Sequence, residues 1–76
     1  MSRKDFSINL NDELDKLGFP MTMRDRATAL SKVLKIKNFQ AASILQGDML
    51  PDREIVHKIA MELEINDQWL QEKLKH

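Results

Sequence analysis

The chain has no cysteine, and only two glycines and two prolines among its 76 residues. Each shortage closes a possibility. Without cysteine there are no disulfide staples, no thiolate metal sites and no cysteine nucleophiles. So few glycines and prolines leave little material for the turns of a β protein. No apolar run approaches the ~18 residues that would cross a bilayer. The N-terminus, Met1-Ser2-Arg3-Lys4-Asp5, carries no apolar signal core behind its basic residues. The expectation is a cytoplasmic protein with no membrane partner. The length leaves room for one domain, spanning 1–76. A chain of this size buries only roughly 60% of its unfolded surface. Without staples it must rely on well-packed helices or on a second subunit.

What is present is an uneven charge. Twelve basic and twelve acidic residues cancel over the whole chain. Residues 1–23 carry a net −1, residues 24–46 a net +4 and residues 47–76 a net −3. The basic middle consists of Arg24, Arg26, Lys32, Lys35 and Lys37 against Asp25 alone. A local positive field of this kind points to an anionic partner, which the balanced total hides.

Hydrophobic spacing predicts an all-α domain, a compact bundle of four to five short helices. Leu10, Leu14 and Leu17 fall on one face of a first helix from about Asn9 to Leu17, capped by Ser7 or Asn9 and ended by Gly18-Phe19-Pro20. A second helix runs from about Met23 to Leu34 behind Thr22 as its cap, with Ala27, Leu30, Val33 and Leu34 inward. Lys35-Ile36-Lys37 separates it from a short third helix, Asn38 to Gln46, whose inward residues are Ala41, Ile44 and Leu45. Gly47 stands where a left-handed cap is wanted. Asp52 caps a fourth helix from Arg53 to Glu64, with Ile55, Val56, Ile59, Ala60 and Leu63 inward. Asn66 caps a last short helix bearing Trp69, Leu70 and Leu74.

The stretch from Ala27 to Gln46 has the layout of a helix-turn-helix: a helix, a tight turn and a second short helix that a major groove can admit. With Ala-Leu-Ser-Lys-Val-Leu-Lys-Ile at 29–36, Ile44, Gly47, Pro51, Ile-Ala-Met-Glu-Leu-Glu-Ile at 59–65 and Trp-Leu at 69–70, the chain resembles the phage-repressor-like (Cro/CI, Xre-type) helix-turn-helix family. The resemblance covers roughly Gly18 to Leu70. It implies a lambda-repressor-like fold and a DNA-binding transcriptional regulator that works by occupying an operator, with residues 38–46 as recognition helix. The chain departs from the pattern at several places, the mildest being Ser31, a small residue where the family usually has alanine. The family usually has glycine where Lys35 stands, at a position of positive φ, so a lysine there is strained by roughly 1 kcal/mol. Ala27 replaces a glutamine that contacts DNA, Ala41 replaces a larger β-branched residue, and Asp48 and Asp52 follow the recognition helix.

In that register Asn38, Phe39, Gln40 and Ser43 face the bases. Asn and Gln can pair with adenine, Ser with several bases, and Phe can only make apolar contact, for example with a thymine methyl. No arginine is available on this helix to read guanine. Lys35, Lys37, Arg24, Arg26 and Lys32 are the phosphate candidates. Arg24, Arg26 and Lys32 also fit a plain solvated helix face. Trp69 and Leu70 read as core closure and, with Leu74, as a candidate homodimer interface reading paired half-sites. His57 reads as a surface histidine. No nucleophile–base pattern, phosphate loop or cofactor motif is present, so the expectation is not an enzyme. The runner-up reading is a protein-interaction module on the same scaffold, for which Phe39, Ala41, Ala42 and the acidic residues after Gly47 speak.

Overall fold

Ser2 opens the first helix well before the leucine spacing alone predicts. The computed structural model describes residues 1–74, with side-chain surroundings through residue 72. Helix α1 is Arg3–Lys16, and the Ser2 hydroxyl accepts from the Asp5 N–H at 3.1 Å. Asp5 in this first turn also suits the helix dipole. The extension puts Phe6 one turn ahead of Leu10 and Leu14, and all three are fully buried. The boundary at Asn9 is therefore corrected, and so is the cap: Ser7 donates its hydroxyl to the Lys4 carbonyl inside the helix.

The remaining helices are α2 Met23–Leu34, α3 Asn38–Gln46, α4 Arg53–Glu62 and α5 Gln68–Leu74. No strand occurs among the described residues, and no described helix is long and apolar enough to cross a membrane. Thr22 and Asp52 cap α2 and α4 with their side chains, as the spacing predicts. Helix α4 stops two residues short of Glu64. The first backbone bonds of α5 run to the Asp67 carbonyl, at 3.1 Å from the Leu70 N–H, while Asn66 accepts from the Gln71 side chain at 2.8 Å.

Four helices end in the same way. Gly18, Lys35, Gly47 and Glu64 adopt left-handed φ values of 80, 56, 79 and 54°. In each case the next N–H closes back on the helix, Phe19 to Leu14, Ile36 to Ser31, Asp48 to Ser43 and Ile65 to Ala60. This bond satisfies a carbonyl that the helix end would otherwise leave open. Glycine adopts that conformation freely; Lys35 and Glu64 do so against a Cβ clash worth roughly 1–2 kcal/mol. Lys35→Gly should therefore stabilise the protein by about 0.5–1 kcal/mol, the larger entropy of unfolded glycine offsetting part of the relief. Urea midpoints of the two forms check this; a lower midpoint for the glycine variant would contradict it.

The core is shared by every helix. Phe6, Leu10 and Leu14 meet Leu30, Leu34, Ala41 and Ile44, and the layer continues through Val56, Ile59, Ile65 and Leu70. Helix α3 packs on α1 and α2, and α4 joins α2 to α5. The ring of Phe6 meets Trp69 edge-on, centroids 5.2 Å apart and planes at 79°. Such a contact adds about 0.5–1.5 kcal/mol beyond area burial. Leu70 is 0% exposed. The Leu70 side chain is therefore committed to its own domain, which corrects its place in the dimer interface drawn through Trp69 and Leu70; Trp69 is half-buried against the same core. The Leu74 side chain lies outside the described residues.

At the same seam Glu13 of α1 faces Asp67. Hydrogen bonding with the Asp67 carboxyl, then burial and the Asp67 charge, raise the Glu13 pKa, and Lys16 at 3.6 Å opposes them. A carboxyl that holds its proton better folded than unfolded favours the fold in acid. Its contribution is lost as pH rises through that raised pKa.

Candidate nucleic-acid interface

Helices α2 and α3 are joined by Lys35, Ile36 and Lys37 alone. Left-handed Lys35 ends α2 and sends the chain back so that Ile36 packs on the core. Lys37, extended at φ −70° and ψ 147°, starts α3. A lysine ammonium has no lone pair to cap a helix. Gln40 supplies the stabilisation instead, its Oε1 accepting from the Lys37 N–H at 3.2 Å. Across the angle between the helices Asn38 Nδ2 donates to Thr28 Oγ1 at 3.0 Å.

The far end of α3 is held by α1. Lys4 Nζ donates to the Gln46 carbonyl at 3.1 Å, and Asn11 Nδ2 donates to the Leu45 carbonyl at 3.0 Å. Both acceptors are carbonyls left open by the helix end. The approach is close: a Cβ on Gly47 would lie 2.7 Å from Lys4 Cδ and 3.1 Å from Ser7 Oγ. Together with the buried Ala41, Ile44 and Leu45, these contacts fix the orientation of α3 from behind. Lys4, Asn11 and Thr28 are the positioning residues that sequence reasoning missed. Asn11 had one signal, a polar residue beside the Leu10–Leu14 stripe.

Helix α3 carries no charged side chain. Its outward stripe is Phe39, Ala42, Ser43 and Gln46, spaced i, i+3, i+4 and i+7. Phe39 is 65% exposed, Gln46 is exposed, and Ala42 and Ser43 are half-buried. Of the expected base-facing set, Phe39 and Ser43 share this stripe. Asn38 and Gln40 lie at its edge, and each amide holds one surface hydrogen bond, to Thr28 and to the Lys37 N–H.

The basic residues divide. Arg24, Lys32, Lys35 and Lys37 are exposed. Among the described residues the ion pairs are Lys16–Glu13 and Arg26–Asp15, so none of these four is neutralised by a carboxylate in contact. Arg24 and Lys32 lie one turn either side of Thr28, on the flank of α2 that meets Asn38. Arg26 is corrected. It is 4% exposed, and its guanidinium is consumed by Asp15, the Asn11 side chain and the Pro20 carbonyl. It holds α1, α2 and the loop between them together and is not available to a phosphate.

Beside the turn lies a shallow cleft of about 380 Å³, lined by Lys35, Lys37, Gln40 and Lys58 but also by Asp52 and Glu54. The two carboxylates temper the field of the three lysines on this side. Among the described residues no group of histidine and acidic side chains is placed to hold a metal ion. No protein-family model matches the chain, and no curated protein or solved structure does. Its function has to be read from its own geometry.

Proposed function

We propose that this protein is a cytoplasmic, repressor-like transcriptional regulator that binds double-stranded DNA with α3 in the major groove. The observation that carries the reading is the set of four exposed cations without ion partners, Arg24, Lys32, Lys35 and Lys37, around a helix whose own outward face is uncharged. Cations at the rim bind phosphates and set affinity and register; an uncharged stripe between them meets base edges without competing for the backbone. Paired half-sites bound by a homodimer would require a surface that does not draw on Leu70, whose side chain the core holds.

Replacing Lys35 and Lys37 together with alanine should weaken binding to all duplexes alike. Each lost phosphate contact lowers the slope of log affinity against log salt by about 0.9, so the pair should lower it by about 1.8. Fluorescence anisotropy on random duplexes across a salt series measures both slopes. An equal slope in the two proteins would remove the turn lysines from the interface. A wild-type protein with no salt-dependent duplex binding would favour a protein partner instead, for which the exposed Phe39 ring and the acidic residues beside the turn speak.

A further inference from the structure

Two amides of α3, Asn38 and Gln40, already hold an internal hydrogen bond, whereas the exposed Gln46 side chain holds none among the described residues. Bidentate recognition of adenine needs a side-chain amide with both its donor and its acceptor turned outward. The Asn38 amide is turned toward α2 and donates to Thr28; the Gln40 amide is turned back over the start of its own helix and accepts from Lys37. Each is held in direction by one internal bond, although among the described residues the second amide hydrogen of Asn38 and the amide nitrogen of Gln40 remain free. Phe39 is not held in this way. Its ring is 65% exposed, it is larger than any other outward group on α3, and Ala42 continues it one turn further along the same stripe. In the major groove one apolar group projects from the base edges, the 5-methyl of thymine, which is also carried by 5-methylcytosine.

We infer that α3 recognises its DNA through the 5-methyl group of a pyrimidine, packed against Phe39 and Ala42. The inference rests on the duplex-binding reading above and adds to it the chemical group that is read. Charge arrangement makes DNA the occupant of this apolar stripe. Among the described residues the flanking Arg24, Lys32, Lys35 and Lys37 form no ion pair, and although Asp52 and Glu54 temper the turn side, an anionic ligand is drawn to the rim while a neutral methyl meets the centre.

The test begins with sites selected by the full chain from a random duplex pool. Each thymine of a selected site is then replaced in turn by deoxyuridine, which removes the methyl and leaves the pairing unchanged. The wild-type protein should lose about fourfold in affinity at the contacted position, the worth of one buried carbon, and little elsewhere. Cytosine and 5-methylcytosine at that position should differ in the same direction. Phe39→Ala should bind the thymine site more weakly and no longer distinguish thymine from deoxyuridine, whereas Asn38→Ala should retain the distinction. Because the first comparison uses the unaltered protein, it does not depend on how a variant folds. Salt-dependent binding that is indifferent to deoxyuridine at every position would overturn the inference and leave the duplex-binding reading standing. Absence of salt-dependent binding to any duplex would overturn both.

Discussion

Arg26→Ala should cost about 2–3 kcal/mol of stability, because it removes a buried side chain and unpairs the part-buried acceptors it serves. A chain of 76 residues has roughly 4–11 kcal/mol to lose. The variant should therefore be extensively unfolded at modest urea, with a thermal midpoint many degrees lower. The reason is the number of groups one guanidinium serves. Its Nε donates to the Pro20 carbonyl at 2.7 Å, one terminal nitrogen to Asn11 Oδ1 at 3.0 Å and the other to Asp15. Asn11 in turn holds the end of α3 through the Leu45 carbonyl. Removing Arg26 thus leaves several acceptors unpaired and loosens the support of the outward helix. The effect should be asymmetric. The Asp15 side chain is 48% exposed, so its charge is screened by water, and Asp15→Asn, which keeps an acceptor oxygen for the guanidinium, should cost no more than about 1 kcal/mol. Arg26→Lys should recover little, since a single ammonium cannot span the fork. Circular dichroism melts of the three variants decide. Equal, small losses for Arg26→Ala and Asp15→Asn would mean that Arg26 is a solvated side chain.

Charge counting placed Arg26 among the five cations of the basic middle, either on phosphate or on a solvated face, and that is where it misled. Position was the better guide. Arg26, Leu30 and Leu34 follow one another at four-residue intervals, so the arginine sits on the apolar stripe of α2 and could be recognised as buried. Its partners could not be recognised, because Asp15 and Asn11 belong to another helix and the Pro20 carbonyl to a loop.

Local signals carried most of the helix ends. Thr22 and Asp52 cap, Gly18 and Gly47 close, and these are short-range physics. Ser2 with Asp5 three residues on was the same signal at the start of α1, overlooked because the leucine stripe begins only at Leu10; Phe6 is the residue that joins the two. Glu64 is the reverse case. Nothing in its side chain announces a left-handed residue, so helix spacing carried α4 two residues too far. For the interface, periodicity gave the outward face of α3 but not the direction of its amides. Asn38 is turned by Thr28, ten positions earlier in the chain, and Gln40 by the open N–H of Lys37.

Leu70 should prove to be a core residue whose loss acts within one chain. Leu70→Ala should cost about 2–5 kcal/mol, the range for a fully buried leucine. Helix α5 has seven residues, far too few to persist alone, so it exists only while docked. Its docking rests on Leu70, on the edge contact of Trp69 with Phe6, and on a Glu13–Asp67 seam that weakens as Glu13 loses its proton. Leu70→Glu should go further than alanine, since an unpaired carboxylate cannot stay in that site and α5 must swing away. Trp69 is the one tryptophan in the chain, so its emission reports this event directly. In the glutamate variant the emission should be red-shifted before any denaturant is added. In the alanine variant it should shift at lower urea than in the wild type. A dimer interface through the same leucine makes a different demand, because dissociation is governed by mass action and the urea midpoint would then climb with protein concentration. Midpoints that coincide over a hundredfold range of concentration, with Leu70→Ala displaced downward at every one, are what a leucine buried in its own domain requires; midpoints that climb in the wild type and not in the variant would return Leu70 to a subunit interface.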